Sequence, residues 1–407
     1  MKKKNKPAAS KLTTLRQLCQ LIPPHLTIQI ARDKHIDSRS FSPWSHVVSM
    51  AYAHLCQAAS LNDVCDGLLI RQEALREIRG ASVPSRNGLS HANRHRDAAL
   101  AEALYWAVAQ SLCQEHAGFA RQHGGKNFAY CFKRRVDLVD ATTIQLVAHC
   151  MDWAKHRRRK AAVKCHLRLD LQTFLPSFVI IDTAREHEAT RARELCAGLK
   201  EGEIAIFDKG YMDLEHFQDL AQRGVFWVTR AKENTAYEVI QERPVEGRIL
   251  RDCEVRLKYY NSKTAYPQSL RLVRARVEVD GKEQEMEFVT NHLEWAASSV
   301  ADLYRCRWQI EIFFKSLKQN LQIGSFLGYN ANAVRWQIWM GLLVHLLMRF
   351  LKWKSKWASH FGRLFTIVRC TMWHRWDLGS CLEFYGTAGP RRRMRCHWEQ
   401  AYLPGFI

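Results

Sequence analysis

Two short apolar runs, each carrying an aspartate at or near its end, do most to limit the fold open to this chain. Residues 136–144, V-D-L-V-D-A-T-T-I, alternate apolar and polar side chains and contain Asp140. Residues 204–208, I-A-I-F-D, are apolar up to Asp208, with Gly210 close behind. A period of two marks a strand. Further strands are expected near 164–171, 177–183 and 225–230, and amphipathic helices near 186–199 and 213–223. Three strands, helix, strand, helix, strand is the order of a mixed α/β sheet. Open sheets of this kind place ligands beyond their strand ends, so both aspartates are candidate site residues.

A third acid follows roughly 100 residues later, too far for one ordinary connection. Tyr304, Arg307, Glu311 and Lys318 lie in one amphipathic stretch. At about 100° per residue their side chains fall within roughly 60° of one another on a helix. Leu303, Ile310, Phe314, Leu317 and Leu321 form the neighbouring core-facing stripe. A carboxylate among an arginine, a lysine and a phenol suits a divalent metal held beside a phosphate. The plainer alternative is a solvated helix face with an incidental Arg–Glu pair.

Three separated segments together resemble the DDE transposases of bacterial insertion sequences, in the insertion-sequence-four group with the Tyr-Arg-Glu-Lys signature. The signature stands as Y-R-C-R-W-Q-I-E-I-F-F-K-S-L-K, the second acid motif as F-D-K-G-Y and the first as V-D-A-T-T-I. K-C-H-L-R-L-D-L around Lys164 and His166, V-T-R-A-K-E-N from Val228, and F-V-T-N from Phe288 extend the likeness over most of residues 130–345. The resemblance implies an RNase-H-like core with a β-rich insertion between the second and third acids. It also implies cutting and joining of DNA at element ends, in the cut-and-paste manner. Asp140, Asp208 and Glu311 would be the catalytic acids and would ligate magnesium, two ions being expected and manganese an accepted substitute. Two cations relieve the repulsion of three converging carboxylates. Water would be the first nucleophile and a DNA 3′-hydroxyl the second. Arg307, Lys318 and Tyr304 would contact the DNA backbone, and Lys209 keeps a positive charge after the second acid. Relatives that close element ends as hairpins stack a tryptophan of the insertion on a flipped base. Residues 236–292 have no tryptophan, leaving Tyr237, Tyr259, Tyr260 and Tyr266 as substitutes or as packing residues.

Charge points the same way. A formal net charge of +21 implies a polyanionic partner, here double-stranded DNA as element ends and target. Lys164 and the cluster containing Arg158 and Arg159, set between two strand-like runs, are candidate DNA contacts. Residues 1–125 read as a helical domain for DNA-end binding. Ser60 and Asp63 have capping-box spacing, and a helix expected from Ser90 to about Glu115 opens with Asn93 and Arg94 as candidate base readers. Bracing of the catalytic domain is the alternative role. Residues 126–235 and 293–352 are expected to form the core, 236–292 the insertion, and 353–407 a basic, aromatic segment that is a candidate assembly surface. A homodimer in a DNA-bound synaptic complex is expected, with no membrane partner and no small-molecule substrate.

Thirteen cysteines without a regular framework suggest reduced core thiols in a cytosol, and the resemblance implies a bacterial cytoplasm with association to the nucleoid. The apolar stretch 336–353 is broken by His345, Arg349 and Lys352 and is short for a membrane span. Competing functions are an RNase-H-like nuclease that never joins strands and a domesticated DNA-binding protein without catalysis. The three intact acids disfavour the latter.

Overall fold

β-branched and aromatic residues put ten strands of the central unit into one sheet. The computed structural model describes residues 6–38, 40–120, 134–146, 155–157, 160–183, 188–232, 235–279, 282–321 and 326–385. Arg158 and Arg159 lie outside these. Residues 113–335 form one unit, and residues 1–112 with 336–407 form the other.

In the central unit, β1 (Val136–Leu146), β2 (Lys155–Arg157), β3 (Lys160–Asp170) and β4 (Leu175–Thr183) are followed by β5 (Ile204–Phe207) and β6 (Phe226–Arg230). β3 pairs antiparallel with β1 and with β4, whereas β5 runs parallel to both β1 and β6. The resulting order β4-β3-β1-β5-β6, antiparallel on one side and parallel on the other, is that of an RNase-H-like core. The expected helices appear as Glu188–Cys196 and Leu214–Gln222. Their buried faces meet Val139, Phe207 and Trp227 on one side of the sheet.

The insertion supplies β7 (Tyr237–Glu242), β8 (Ile249–Leu257), β9 (Leu270–Val279) and β10 (Lys282–Thr290). It is not a separate sheet. β10 pairs antiparallel with β6, so the insertion continues the catalytic sheet in the order β6-β10-β9-β8-β7. A buried pair anchors it: Arg271 on β9 donates to both oxygens of Asp252 on β8, at 2.8 and 2.7 Å, and to the carbonyls of Leu293 and Trp295. Those carbonyls precede the Ala297–Arg305 helix, which carries Tyr304. Arg271→Met strands a carboxylate away from water, so stability should fall by about 3–5 kcal/mol. Chemical denaturation checks this, and a loss below about 1 kcal/mol would assign the anchoring elsewhere.

The direction of these strands decides the fate of the candidate stacking tyrosines. β8 runs antiparallel to β6, so residues 258–266 lie at the end of the sheet opposite Asp208. Tyr259 and Tyr260 are exposed there, on the wrong end to meet a base at the acids, and Tyr266 is fully buried. Tyr237 is half-buried, and burial pushes its phenol up to about 12.

The second unit is helical. Ser60 and Asp63 form the expected capping box at the Leu61–Leu69 helix. The long helix expected from Ser90 is instead two, Arg86–His95 and Ala99–Glu115. Arg96 at the break has extended backbone and donates to the carbonyl of Phe41 at 2.7 Å. The boundary expected at residue 352 also moves. Trp336, inside the Ala331–Lys354 helix, donates its indole N–H to the carbonyl of Arg96 at 2.6 Å, and Arg369 donates to that of Leu55 at 2.7 Å. Residues 336–385 thus belong with the N-terminal helices. Trp357, Phe365 and Met372 are buried in that packing, which removes them from any assembly surface. Among the described residues no helix is long and apolar enough to cross a membrane.

Candidate active site

Pairing between β1 and β5 ends at Val139 opposite Phe207, and the next residue on each strand is an acid. Neighbouring strands lie about 5 Å apart, so register alone brings Asp140 and Asp208 side by side. β1 itself does not stop at Asp140 but continues six residues to Leu146, still paired with β3. The strand end that matters is therefore the end of the parallel pairing. Asp208 leaves β5 into a single 3-10 turn, Lys209–Tyr211.

The third acid arrives on a broken helix. Tyr304 ends one helix, Ala297–Arg305, and Glu311 sits in the first turn of the next, Trp308–Asn320. Between them the Cys306 and Arg307 amides bond three residues back, to Leu303 and Tyr304, which tightens the backbone. The first helix packs across β6, β8, β9 and β10, whereas the second packs on β1. That difference explains why the expected continuous helix breaks. The stripe of Leu303, Ile310, Phe314, Leu317 and Leu321 is buried as expected.

Arg307 stands at the centre of the acids. Its guanidinium lies 3.3 Å from Asp140 Oδ2, 3.9 Å from Asp208 Oδ1 and 2.5 Å from Glu311 Oε1, and its side chain is 19% exposed. Burial opposes its charge, but the Tyr304 phenol and the three carboxylates outweigh it and hold its pKa above the ordinary value. Tyr304 is 8% exposed, so its hydroxyl faces inward, 3.3 Å from Asp208 Oδ1, rather than toward a DNA backbone. Burial first, with Asp208 adding and Arg307 opposing, pushes that phenol up to about 12, which keeps it a neutral donor. Lys318 Nζ donates to the carbonyl of Thr143 on β1 at 3.2 Å, at the acids' end of the sheet.

Other expected contacts separate from this cluster. Lys164 pairs with Thr143, an odd number of residues from Asp140, so alternation places it on the opposite face of the sheet. Asn93 is 3% exposed and its Oδ1 is bonded to His46 Nε2 at 2.8 Å, which removes it as a base reader in this conformation. Arg94 and Lys209 are exposed. One residue was missed. Arg230 follows Thr229, which pairs with Phe207, so it stands beside Asp208 as Asp208 stands beside Asp140. Its charge reaches the Tyr304 phenol, and among the described residues no carboxylate lies within 4 Å of it. The signal was a basic residue ending the strand of V-T-R-A-K-E-N.

Two aspartates and a glutamate meeting where parallel pairing ends, ringed by cations, are the makings of a phosphoryl-transfer centre. Residues 132–347, more than half of the chain, match the family described as "Transposase DDE domain", and the chain belongs to that family, among the bacterial insertion-sequence transposases. Residues 10–78 match a domain of unknown function. The chain is 29% identical to the "Putative transposase y4zB" of Sinorhizobium fredii over 78% of its own length and 85% of that protein. It is 25% identical to the "Probable transposase for insertion sequence element IS5377" of Geobacillus stearothermophilus, over 55% of this chain and 59% of that one. A solved piggyBac transposase synaptic complex with hairpin DNA has a TM-score of 0.41 at 10% identity, over 96% of this chain and 86% of that one.

Enzymes of this family are in general dependent on divalent metal. The donor set fits such an ion in kind, because three carboxylates are hard oxygen ligands. In the present arrangement they are not grouped to hold one: among the described residues no three acidic, histidine or cysteine side chains form a metal-holding group. A guanidinium spans the space between them and supplies the counter-charge.

Proposed function

We propose that this transposase cuts DNA at the ends of its own insertion sequence and joins the freed ends to target DNA. The observation that carries the reading is the convergence of Asp140, Asp208 and Glu311 on one centre where the parallel pairing of β1 with β5 ends. These three acids are the residues that would hold divalent ions, two of magnesium or manganese. When bound, such ions supply positive charge that favours the attacking oxygen and the leaving oxygen of an in-line displacement.

The chain's own residues prepare that displacement. Tyr304 fixes Asp208 through its hydroxyl, and Lys318, held on the Thr143 carbonyl, places a cation where a phosphate would approach. Arg230 and Lys209 offer further positive charge beside Asp208, and exposed Arg94 is the remaining candidate of the helical unit. In the first step the oxygen of water bonds to phosphorus, the P–O3′ bond breaks and a 3′-hydroxyl is released. In the second, that hydroxyl bonds to a target phosphorus and displaces the target's own 3′-oxygen, so the number of phosphodiester bonds is conserved. Two element ends must be held together for both to enter one target, which calls for two copies of the chain on DNA.

The test is a plasmid carrying both flanks of the gene, incubated with the protein and magnesium. Nicks at fixed positions in the flanks, leaving 3′-hydroxyls, are expected. Cleavage scattered along the plasmid would instead identify a nuclease without element specificity.

A further inference from the structure

Arg307 was expected to grip a DNA phosphate, yet here it occupies the space that the three acids enclose. The contacts at 2.5, 3.3 and 3.9 Å leave no room for a divalent cation to share those carboxylates without meeting a like charge. The seat is also imperfect. Arg307 Nε is buried and has no hydrogen-bond acceptor among the described residues, Asp208 Oδ1 lying 3.9 Å from it. An unsatisfied buried N–H is costly, so this placement holds the charge without being optimal for the side chain. The groups in contact with it are Asp140 on β1, Asp208 after β5, and Tyr304 and Glu311 on the two helices. All but the phenol are acids, and the Tyr304 ring lies 5.9 Å from the guanidinium carbon. Arg307 itself is the N-cap of the second helix and its side chain makes no capping hydrogen bond, so a change of rotamer breaks no cap.

We propose that Arg307 is an internal counter-ion that keeps the acids closed to metal until a phosphate of the bound element end draws it away. The proposal rests on the reading of the three acids as a metal site. DNA-end binding and metal loading then become one coupled event: the free protein holds its nuclease chemistry shut, and each ligand raises affinity for the other by the same factor. Arg307 acts here as a positioning residue for the acids, distinct from the acids themselves.

The test measures Mn2+ affinity by the paramagnetic resonance of the free ion, with and without a duplex copied from a flank of the gene, in full-length protein. Without DNA, Arg307→Gln should bind Mn2+ at least about tenfold more tightly than wild type, because one cation has left a ring of three anions. The duplex should tighten wild-type binding by a similar factor and leave Arg307→Gln unchanged. Equal or weaker DNA-free binding by a folded Arg307→Gln protein would overturn the latch. If that variant does not fold, wild type decides alone: Mn2+ affinity indifferent to the duplex, after subtracting the ion bound by duplex alone, would overturn it equally. Asp140→Asn with Glu311→Gln, added to both backgrounds, separates this from the reading beneath it. Binding that survives the loss of the carboxylates would show the metal-site reading wrong, and the latch with it.

Discussion

Asp140→Asn, Asp208→Asn and Glu311→Gln should each lower DNA cleavage and strand transfer by a thousandfold or more. Each change keeps the shape of the side chain and removes one anionic oxygen ligand. Losing several kcal/mol of charge stabilisation, about 4, corresponds to roughly a factor of a thousand in rate. End binding should change far less, since the acids contribute no positive charge to it. The three variants differ in what else they disturb. Asp208 also accepts from Tyr304, and Asp140 accepts from its neighbour's amide, Ala141 N–H at 2.8 Å. Among the described residues Glu311 has its Arg307 contact at 2.5 Å and no other hydrogen bond, which makes it the cleanest substitution of the three. Initial rates on an end-bearing duplex in magnesium check all of them, and a variant that cleaves within tenfold of wild type removes that acid from the site.

DNA affinity should fall steeply with salt. A chain of net charge +21 that neutralises about six to ten phosphates would lose roughly 10^3–10^5 in affinity between 50 and 200 mM salt. The slope of log affinity against log salt, about −0.9 per phosphate, counts the contacts. A flat titration would mean that the excess charge faces away from DNA. Arg230→Gln should reduce the slope by about one unit if it meets a phosphate.

The candidate acids were legible in the sequence because each reports a backbone event: a strand that loses its parallel partner, a strand that turns, a helix that begins. The core strands and the stripe on the Trp308–Asn320 helix followed from periods of two and 3.6. What the sequence did not disclose depended on pairing across distance. Nothing in residues 236–292 states that β10 joins β6, and without that the side of the sheet to which Tyr259 and Tyr260 belong is undetermined. Asn93 looked like a base reader because a polar residue on a basic helix is ordinarily exposed. His46, 47 residues earlier in the chain, captures it in the core, where burial lowers the imidazole to about 3 and keeps it neutral. Lys164 was a candidate within the K-C-H-L-R-L-D-L segment, whereas strand alternation turns it to the face opposite Asp140. Arg307 was placed on the right ridge, but its partners are acids contributed by two other segments, which no single ridge can show.

The most direct measurement supplies the protein with a duplex end whose 3′-hydroxyl is already exposed, together with a plasmid target and magnesium. This bypasses the first cut and asks only whether the three acids support joining. The wild-type protein should link that hydroxyl to the plasmid, a dideoxy end should give no product, and Glu311→Gln should give none above background. Joining by Glu311→Gln at the wild-type rate, or degradation of the plasmid without any joined product, would contradict the account.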